Sequence, residues 1–289
     1  VDDVSKYSRL PSFGSGRQLT RTIDVLGSER TPGSIEMTAG SSLSNLAIIH
    51  TIPDDGTGYT PQLSTAFLSG SSATQAAYIS GKDFTITSAN VFEKPLAQIP
   101  EGRYELAALV VSTLAGTYAI NWTAQVYVSG VAVGEQLSGS ANGTWTGAGR
   151  EYVTLGRMLL PPTRAAEANP NATLRITIQA ASPANHLDEA WIFNLTDGAL
   201  TVVKTNSWCV FLDGAAVDEL TPSAWAGNSS DRSDAYALSR RTEILAIGQH
   251  IWRPGRTQIF TATRGPADVP VALRYTPAWS HHPALLEAP

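Results

Sequence analysis

The sequence predicts an all-β protein: a jelly-roll-like β-sandwich followed by a second, smaller β-sandwich domain. Three observations carry that expectation. Apolar and polar residues alternate in several runs. In "TLRITIQA", Leu174, Ile176 and Ile178 fall on one face, and Arg175, Thr177 and Gln179 fall on the other. That is the period-two pattern of a half-buried strand. The 24 Gly and 17 Pro are spread without a period, so they punctuate many short segments. Charged residues make up 16 % of the chain against 43 % hydrophobic, a balance that suits a packed sheet protein rather than a disordered one.

The elements follow in order. Residues 1–20 are polar and read as an N-terminal arm. "RTIDVLG" (21–27) and "SIEMTAG" (34–40) read as the first strands, with a turn at Pro32 and Gly33. "LAIIHTIP" (46–53) is a compact apolar strand. Residues 53–81 are rich in Gly, Ser and Thr and read as a long loop. "FTIT", "RYELAALVVS", "YAINWTAQVYVSG" and "EYVTLGRMLL" then follow as strands between turn residues. Short strands at this spacing point to a sandwich, assigned to residues 21–198. A smaller β domain, 199–289, begins with "ALTVVKT" and "SWCVFLDG", read as a hairpin. "SAWAGNSSDRSDA" reads as a loop, and "TEILAIG", "RTQIFTATRG" and "VALRYTPAW" as further strands. "PTRAAEANP" has room for one helical turn before Pro170 ends it, and "SDAYALSRR" for another.

Composition excludes several classes. The net charge is -5, and Lys and Arg are scattered, so no phosphate-binding stripe forms and no nucleic-acid partner is expected. No window of about 18 apolar residues exists to span a bilayer. The first ten residues lack the apolar core of an export signal. The one cysteine, Cys209, excludes a disulfide framework and a multi-thiolate zinc site, and reads as a buried, inert thiol.

Candidate chemistry is sparse. No phosphate-binding glycine loop, no Gly-x-Ser-x-Gly elbow and no His-Glu-x-x-His occurs. Asp54 and Asp55, followed by Gly56, are able to donate oxygens to Ca²⁺, although an acidic turn explains them as well. "HLDEAW" places Asp188 and Glu189 beside His186, but neighbours on a strand face opposite ways. For a glycan hydrolase, Glu189 with Glu151 or Asp188 would be the only carboxylate pairs to try. Trp122, Tyr118, Tyr127 and Tyr152 suit a sandwich core better than a sugar platform. Trp145 differs: its setting, "ANGTWTGAG", reads as a Gly-rich loop. It is therefore the candidate glycan-stacking ring, with Asp54 and Asp55 as candidate partners. His281 and His282 alternate in direction and make a poor metal pair. No cofactor, metal or catalytic residue is assigned.

From "LDEAWIFNLTDGALTVV" (187–203) to "YTPAWSHHP", the chain resembles minor or distal tail proteins of long-tailed, siphovirus-type phages, particularly of actinobacterial hosts. The carrying words are "DEA..F....GALTVV" and "WRPGRTQIFTATRGPADVPVALRYTPAW", the latter at residues 252–279. "EGRYELAALV" and "DVLGSERTPGSIEM" are similar to the opening strands of such sandwiches. The resemblance implies a structural virion protein of the tail tip. It would assemble with tail-tube and tip or baseplate proteins, as a homo-trimer or homo-hexamer ring. Host cell-surface glycan would be a further partner, and no catalysis is implied. On that reading the arm is exchanged with a neighbouring subunit, and Trp279 covers a sheet edge. His281, His282, Leu285 and Leu286 would then be subunit contacts. The alternative is a carbohydrate-binding module that recognises host glycan without catalysis.

Overall fold

The computed structural model describes residues 8–9, 17–38, 43, 46–160, 169–181, 184–196, 198–204, 209–213, 223–227, 243–248, 250–252, 254–265 and 269–275. These residues are nearly all strand, with two short 3-10 turns and no α-helix. The opening strands are β1 (Ser8–Arg9), β2 (Gln18–Val25), β3 (Thr31–Thr38) and β4 (Ala47–Pro53). The middle of the chain supplies β5 (Phe67–Ser69), β6 (Ser71–Thr74), β7 (Lys82–Thr85), β8 (Asn90–Pro95) and β9 (Gly102–Ser112). It continues with β10 (Gly116–Val128), β11 (Val131–Trp145), β12 (Gly149–Leu160), β13 (Thr173–Ala181) and β14 (Ala184–Asn194). The last strands are β15 (Ala199–Lys204), β16 (Cys209–Asp213), β17 (Ser223–Gly227), β18 (Glu243–Ile247), β19 (Ile251–Trp252), β20 (Gly255–Thr263) and β21 (Val271–Tyr275).

The chain forms two compact units, and their boundaries correct the expected ones. A base unit takes both ends of the chain, 1–55 and 197–289, and an inserted unit takes residues 56–196. The second crossing lies close to the expected boundary at 199. The first does not: β2, β3 and β4 were assigned to the large sandwich, yet they pair with β20, β21, β16 and β15 of the base. Alternation identifies a strand but not its sheet, because partner choice is non-local. The arm expected over 1–20 also contributes base strands within this chain, since Ser8 and Arg9 pair with Tyr275 and Arg274, and β2 begins at Gln18. β15 and β16 are not a hairpin but join different sheets. Ser223–Gly227, expected in a loop, is a strand paired with β16. The expected loop 53–81 contains β5 and β6.

The base consists of two antiparallel sheets, in the orders β1-β21-β3-β16-β17, with β19 on β3, and β18-β15-β4-β20-β2. Between them pack Ile35, Met37, Ile49, Val203, Leu212, Trp252, Ile259 and Leu273. Gly33 has no side chain because Trp252 fills the space, and a Cβ there would lie 2.0 Å from the indole. The insert occupies the connection between β4 and β15, which are antiparallel neighbours with Thr51 opposite Ala199. His250 joins those two strands. It is fully buried, with Nδ1 3.0 Å from the Thr51 hydroxyl and Nε2 2.9 Å from that of Thr201. Just past the end of β4, Asp54 accepts from Thr22 at 2.9 Å and pairs with Arg256 at 3.1 Å.

The inserted unit is a sandwich of two five-stranded sheets, β11-β10-β13-β8-β5 and β12-β9-β14-β7-β6. Alternation orients each strand. Ile120, Trp122 and Ala124 of β10 and Leu174, Ile176 and Ile178 of β13 point inward, as do Leu106, Ala108 and Val110 of β9. The Trp122 indole reaches the other sheet and donates to the Leu155 carbonyl at 2.9 Å. It lies over two glycines: a Cβ on Gly139 would approach it to 2.7 Å, and one on Gly156 to 2.9 Å. Phe67, Phe84 and Phe92 close the far end, with ring centroids 5.1–5.9 Å apart. The β10–β11 hairpin turns on Ser129 and Gly130, both at positive φ (50° and 81°), which two-residue hairpin turns require.

Two predictions follow from this packing. Gly139→Ala should lower unfolding free energy in urea by about 1–3 kcal/mol through overpacking against Trp122. The neighbouring outward Ser138→Ala should stay within about 0.5 kcal/mol, and equal effects would contradict the register. His250 is held far below its ordinary pKa of 6.5, at about 3, first by burial and then by neighbouring His50. The unfolded chain takes up a proton near pH 6.5 and the folded chain only near 3, so stability is whole above 6.5 and falls on acidification. Denaturation curves should lose up to about 1.4 kcal/mol per pH unit between pH 6.5 and 5. A flat profile there would mean that water reaches the ring.

Candidate functional site

The outward side of β11, β10, β13 and β8 is the most distinctive surface of the inserted unit. Register sets its rows. Asn121 of β10 lies between Ser140 of β11 and Gln179 of β13. One row on, Thr123 lies between Ser138 and Thr177, and Thr177 faces Val91 of β8. Ser138, Ser140, Asn142, Thr144, Thr117, Asn121 and Gln179 are exposed, and Thr123 and Thr177 are half-buried. All are small or neutral, and these rows contain no charged side chain.

Charge begins at the next row, where an ion pair joins β13 to β8 and the exposed Glu135 lies in the stretch of β11 opposite Gln125. Arg175 pairs with Glu93 on the neighbouring strand, and its guanidinium lies 4.0 Å above the Tyr127 ring. The ring thereby acts as a cation–π partner. Gln125, in the same row, is occupied too. A bulge sets three residues of β11 opposite it, and its amide donates to the carbonyls of Val133 at 3.0 Å and Gly134 at 3.1 Å.

Trp145 is not the exposed ring that its Gly-rich setting predicts. It ends β11, on the inward phase shared with Gly139 and Gly143, and is 7 % exposed. Its ring packs against Tyr118 at 4.6 Å, and its indole donates to Glu151 at 2.8 Å. Glycines in "SGSANGTW" do not open a loop. They clear space for rings, since a Cβ on Gly143 would lie 2.4 Å from the Tyr118 hydroxyl. Asp54 and Asp55 do not join Trp145 in one unit. They belong to the base, where Asp54 is engaged by Thr22 and Arg256. Trp279, His281, His282, Leu285 and Leu286 lie outside the described residues.

The "HLDEAW" carboxylates are buried and hold loops. A bulge in β14 falls between Leu187 and Glu189. Asp188 accepts from the Ile79 amide and pairs with Arg150 at 3.0 Å. Glu189 accepts from the Ser64 amide at 3.0 Å and hydroxyl at 2.5 Å, and from its neighbour's amide, Ala190, at 2.9 Å. Lys94 donates to the Thr60 carbonyl at 2.8 Å. Burial lowers the Lys94 ammonium to about 8, against the opposing pull of Glu189. Burial also raises Glu105 on β9 above the usual carboxylate range, against Arg157 and Thr154. Among the described residues no three His, Cys, Asp or Glu gather as a metal site would need. No helix of the described residues is long and apolar enough to cross a membrane.

No protein-family model and no curated protein matches this chain. Several solved structures align with it in part. An exo-beta-1,3-galactanase from Phanerochaete chrysosporium, solved with beta-1,3-galactotriose, aligns at 16 % identity and a TM-score of 0.28. That alignment covers 46 % of this chain and 29 % of the galactanase. The xylan-binding module CBM15 aligns at 13 % and 0.25, over 62 % of this chain and 99 % of the module. The VP2 subviral particle protein of infectious bursal disease virus aligns at 9 % and 0.23, over 95 % and 80 %.

Because Trp145 is walled in by Tyr118 and Glu151, its truncation should act on stability. Trp145→Ala should cost about 3–5 kcal/mol in urea unfolding. An unchanged midpoint would return the ring to the surface.

Proposed function

We propose that this protein is a structural component of a phage tail tip or distal tail. Its base unit would assemble into a ring, and its inserted sandwich would face the host. The observation that carries this reading is the insertion itself. A complete sandwich sits in the β4–β15 connection, while strands from before and after it in the sequence pair with one another in the base. Insertions at hairpin connections leave the host unit's core and outer strands free for assembly.

The sequence resemblance supports the same reading from another direction. "GALTVV" covers the start of β15, and "WRPGRT..F" runs through β19 into β20. β15 and β20 flank β4 at the centre of one base sheet. Of the stretches that carry the resemblance, these two fall in the base, whereas "DEA..F" and "EGRYELAALV" fall in β14 and β9 of the insert. Identical subunits packed head to tail close into a ring when the rotation closes. A homo-trimer or homo-hexamer is the expected state, with tail-tube and baseplate proteins as partners and the virion as location. The reading assigns no catalysis; of the carboxylates named for it, Asp188 and Glu189 hold loops and Glu151 accepts from the Trp145 indole.

A second reading is recognition of host-surface glycan by the inserted unit. The uncharged outward face of β11, β10 and β13 favours it.

The tail assignment predicts that intact virions contain this chain in three or six copies around the tail axis. Cryo-electron microscopy of whole particles, with mass spectrometry of their proteins, checks this. Its absence from purified virions would overturn the assignment.

A further inference from the structure

We infer that the outward face of β11, β10 and β13 binds a neutral, extended polysaccharide across its strands. The central groups are Asn121, Thr123, Ser138, Ser140, Thr177 and Gln179. This deepens the glycan reading above and does not depend on the tail assignment.

The chemistry of the face selects the ligand. Each hydroxyl donates once and accepts twice, and each amide both donates and accepts. A surface of this kind matches a ligand whose own surface is hydroxyls. Other ligand classes fit less well. Nucleic acid is held by Lys and Arg contacts to phosphate, and here the cation of the adjoining row, Arg175, is paired with Glu93. An anionic polymer would meet no free cation in these rows. Protein interfaces concentrate aromatic residues, Met and Arg at their centre and are depleted in Ser. This face carries serine, threonine, asparagine and glutamine instead.

The arrangement is also organised before any ligand arrives. None of Asn121, Thr123, Ser138, Ser140 or Thr177 spends its side chain on a neighbour, and Gln179 makes one long contact, 3.5 Å, to the Thr87 carbonyl. Their backbones are fixed by continuous pairing, Tyr118 to Ala124 opposite Leu137 to Gly143 on one side and Ala119 to Ala124 opposite Ile176 to Ala181 on the other. Threonine χ1 is stiff, so little freedom is lost on binding. Strands about 4.8 Å apart, with same-face residues every second position, form a regular lattice. A polymer of repeating sugars can meet such a lattice at several rows at once. No exposed aromatic stacks in these rows, so one face binds weakly. A ring of subunits would compensate by multivalency.

The test is affinity electrophoresis of the full chain through gels containing dextran, galactan or arabinoxylan, with polygalacturonate as the anionic comparison. Retardation by at least one neutral polymer is expected, unchanged between 0.05 and 0.5 M salt, since no net charge is involved. Asn121→Ala and Thr177→Ala should each weaken binding about fivefold, the loss of one hydrogen bond. Thr123→Glu should abolish it. Thr74→Ala, on β6 of the other sheet, is the control, and unfolding midpoints confirm that every variant folds. Binding that survives all three face substitutions would overturn this site while leaving glycan recognition standing. No retardation by any neutral polymer, or retardation by polygalacturonate alone, would overturn the inferred ligand class.

Discussion

One buried imidazole sits where the two units of this chain meet in sequence. β4 leads into the insert and β15 leads out of it, and His250 bonds to a threonine on each. The ring is neutral there, because burial penalises its charged form. A neutral imidazole has one donor and one acceptor, so it satisfies two hydroxyls at once. An inserted chain of this length tends to separate the strands that flank it, since closing a long loop is entropically unfavourable. The insert answers part of that tendency by folding on its own core. The Thr51–His250–Thr201 chain and the Asp54–Arg256 pair hold the remaining root of the base.

A second constraint works inside the insert. Large rings on β10 are received by glycines on β11 and β12. Trp122 takes the space that side chains at Gly139 and Gly156 would fill, and Tyr118 takes that of Gly143. Interiors are packed near crystal density, so a large ring needs a small partner. The consequence reaches the surface. Between Leu137 and Trp145 of β11 the inward positions are Gly139, Ala141 and Gly143, and the outward ones are Ser138, Ser140, Asn142 and Thr144. The same strand therefore packs tightly within and presents a low, uncharged relief without.

Much of the fold was legible as strands and little of it as topology. "TLRITIQA" and "RYELAALVV" alternate with bulky residues, and both became strands where alternation put them. "SGSANGTW" alternates as strictly, but between small residues, whose transfer energies barely differ. Its glycines read as a loop, and Trp145 with them. Only the rings of β10, twenty residues away, explain why those positions are glycine. The domain boundary failed for a related reason. β2, β3 and β4 carry good strand patterns, but their partners lie some 150 to 240 residues further along the chain. No local signal records such a pairing, so the chain reads as two domains in succession rather than one within the other.

The distribution of charge decides what each side of the insert can do. Glu105, Asp188, Glu189 and Arg150 belong to the sheet of β12, β9, β14, β7 and β6, and there they are committed. Asp188 fixes the turn at Ile79, and Glu189 fixes the 3-10 turn at Ser64. A carboxylate accepting two or three such bonds is held in place, which serves a loop anchor. Lys94 is spent on the Thr60 carbonyl in the same way. With the ionisable groups drawn into these anchors, or closed on each other at Arg175 and Glu93, the rows around Asn121 and Thr123 are left to neutral groups. Recognition on such a surface can proceed only through hydrogen bonds and shape. It would be insensitive to salt and selective for the positions of hydroxyl groups.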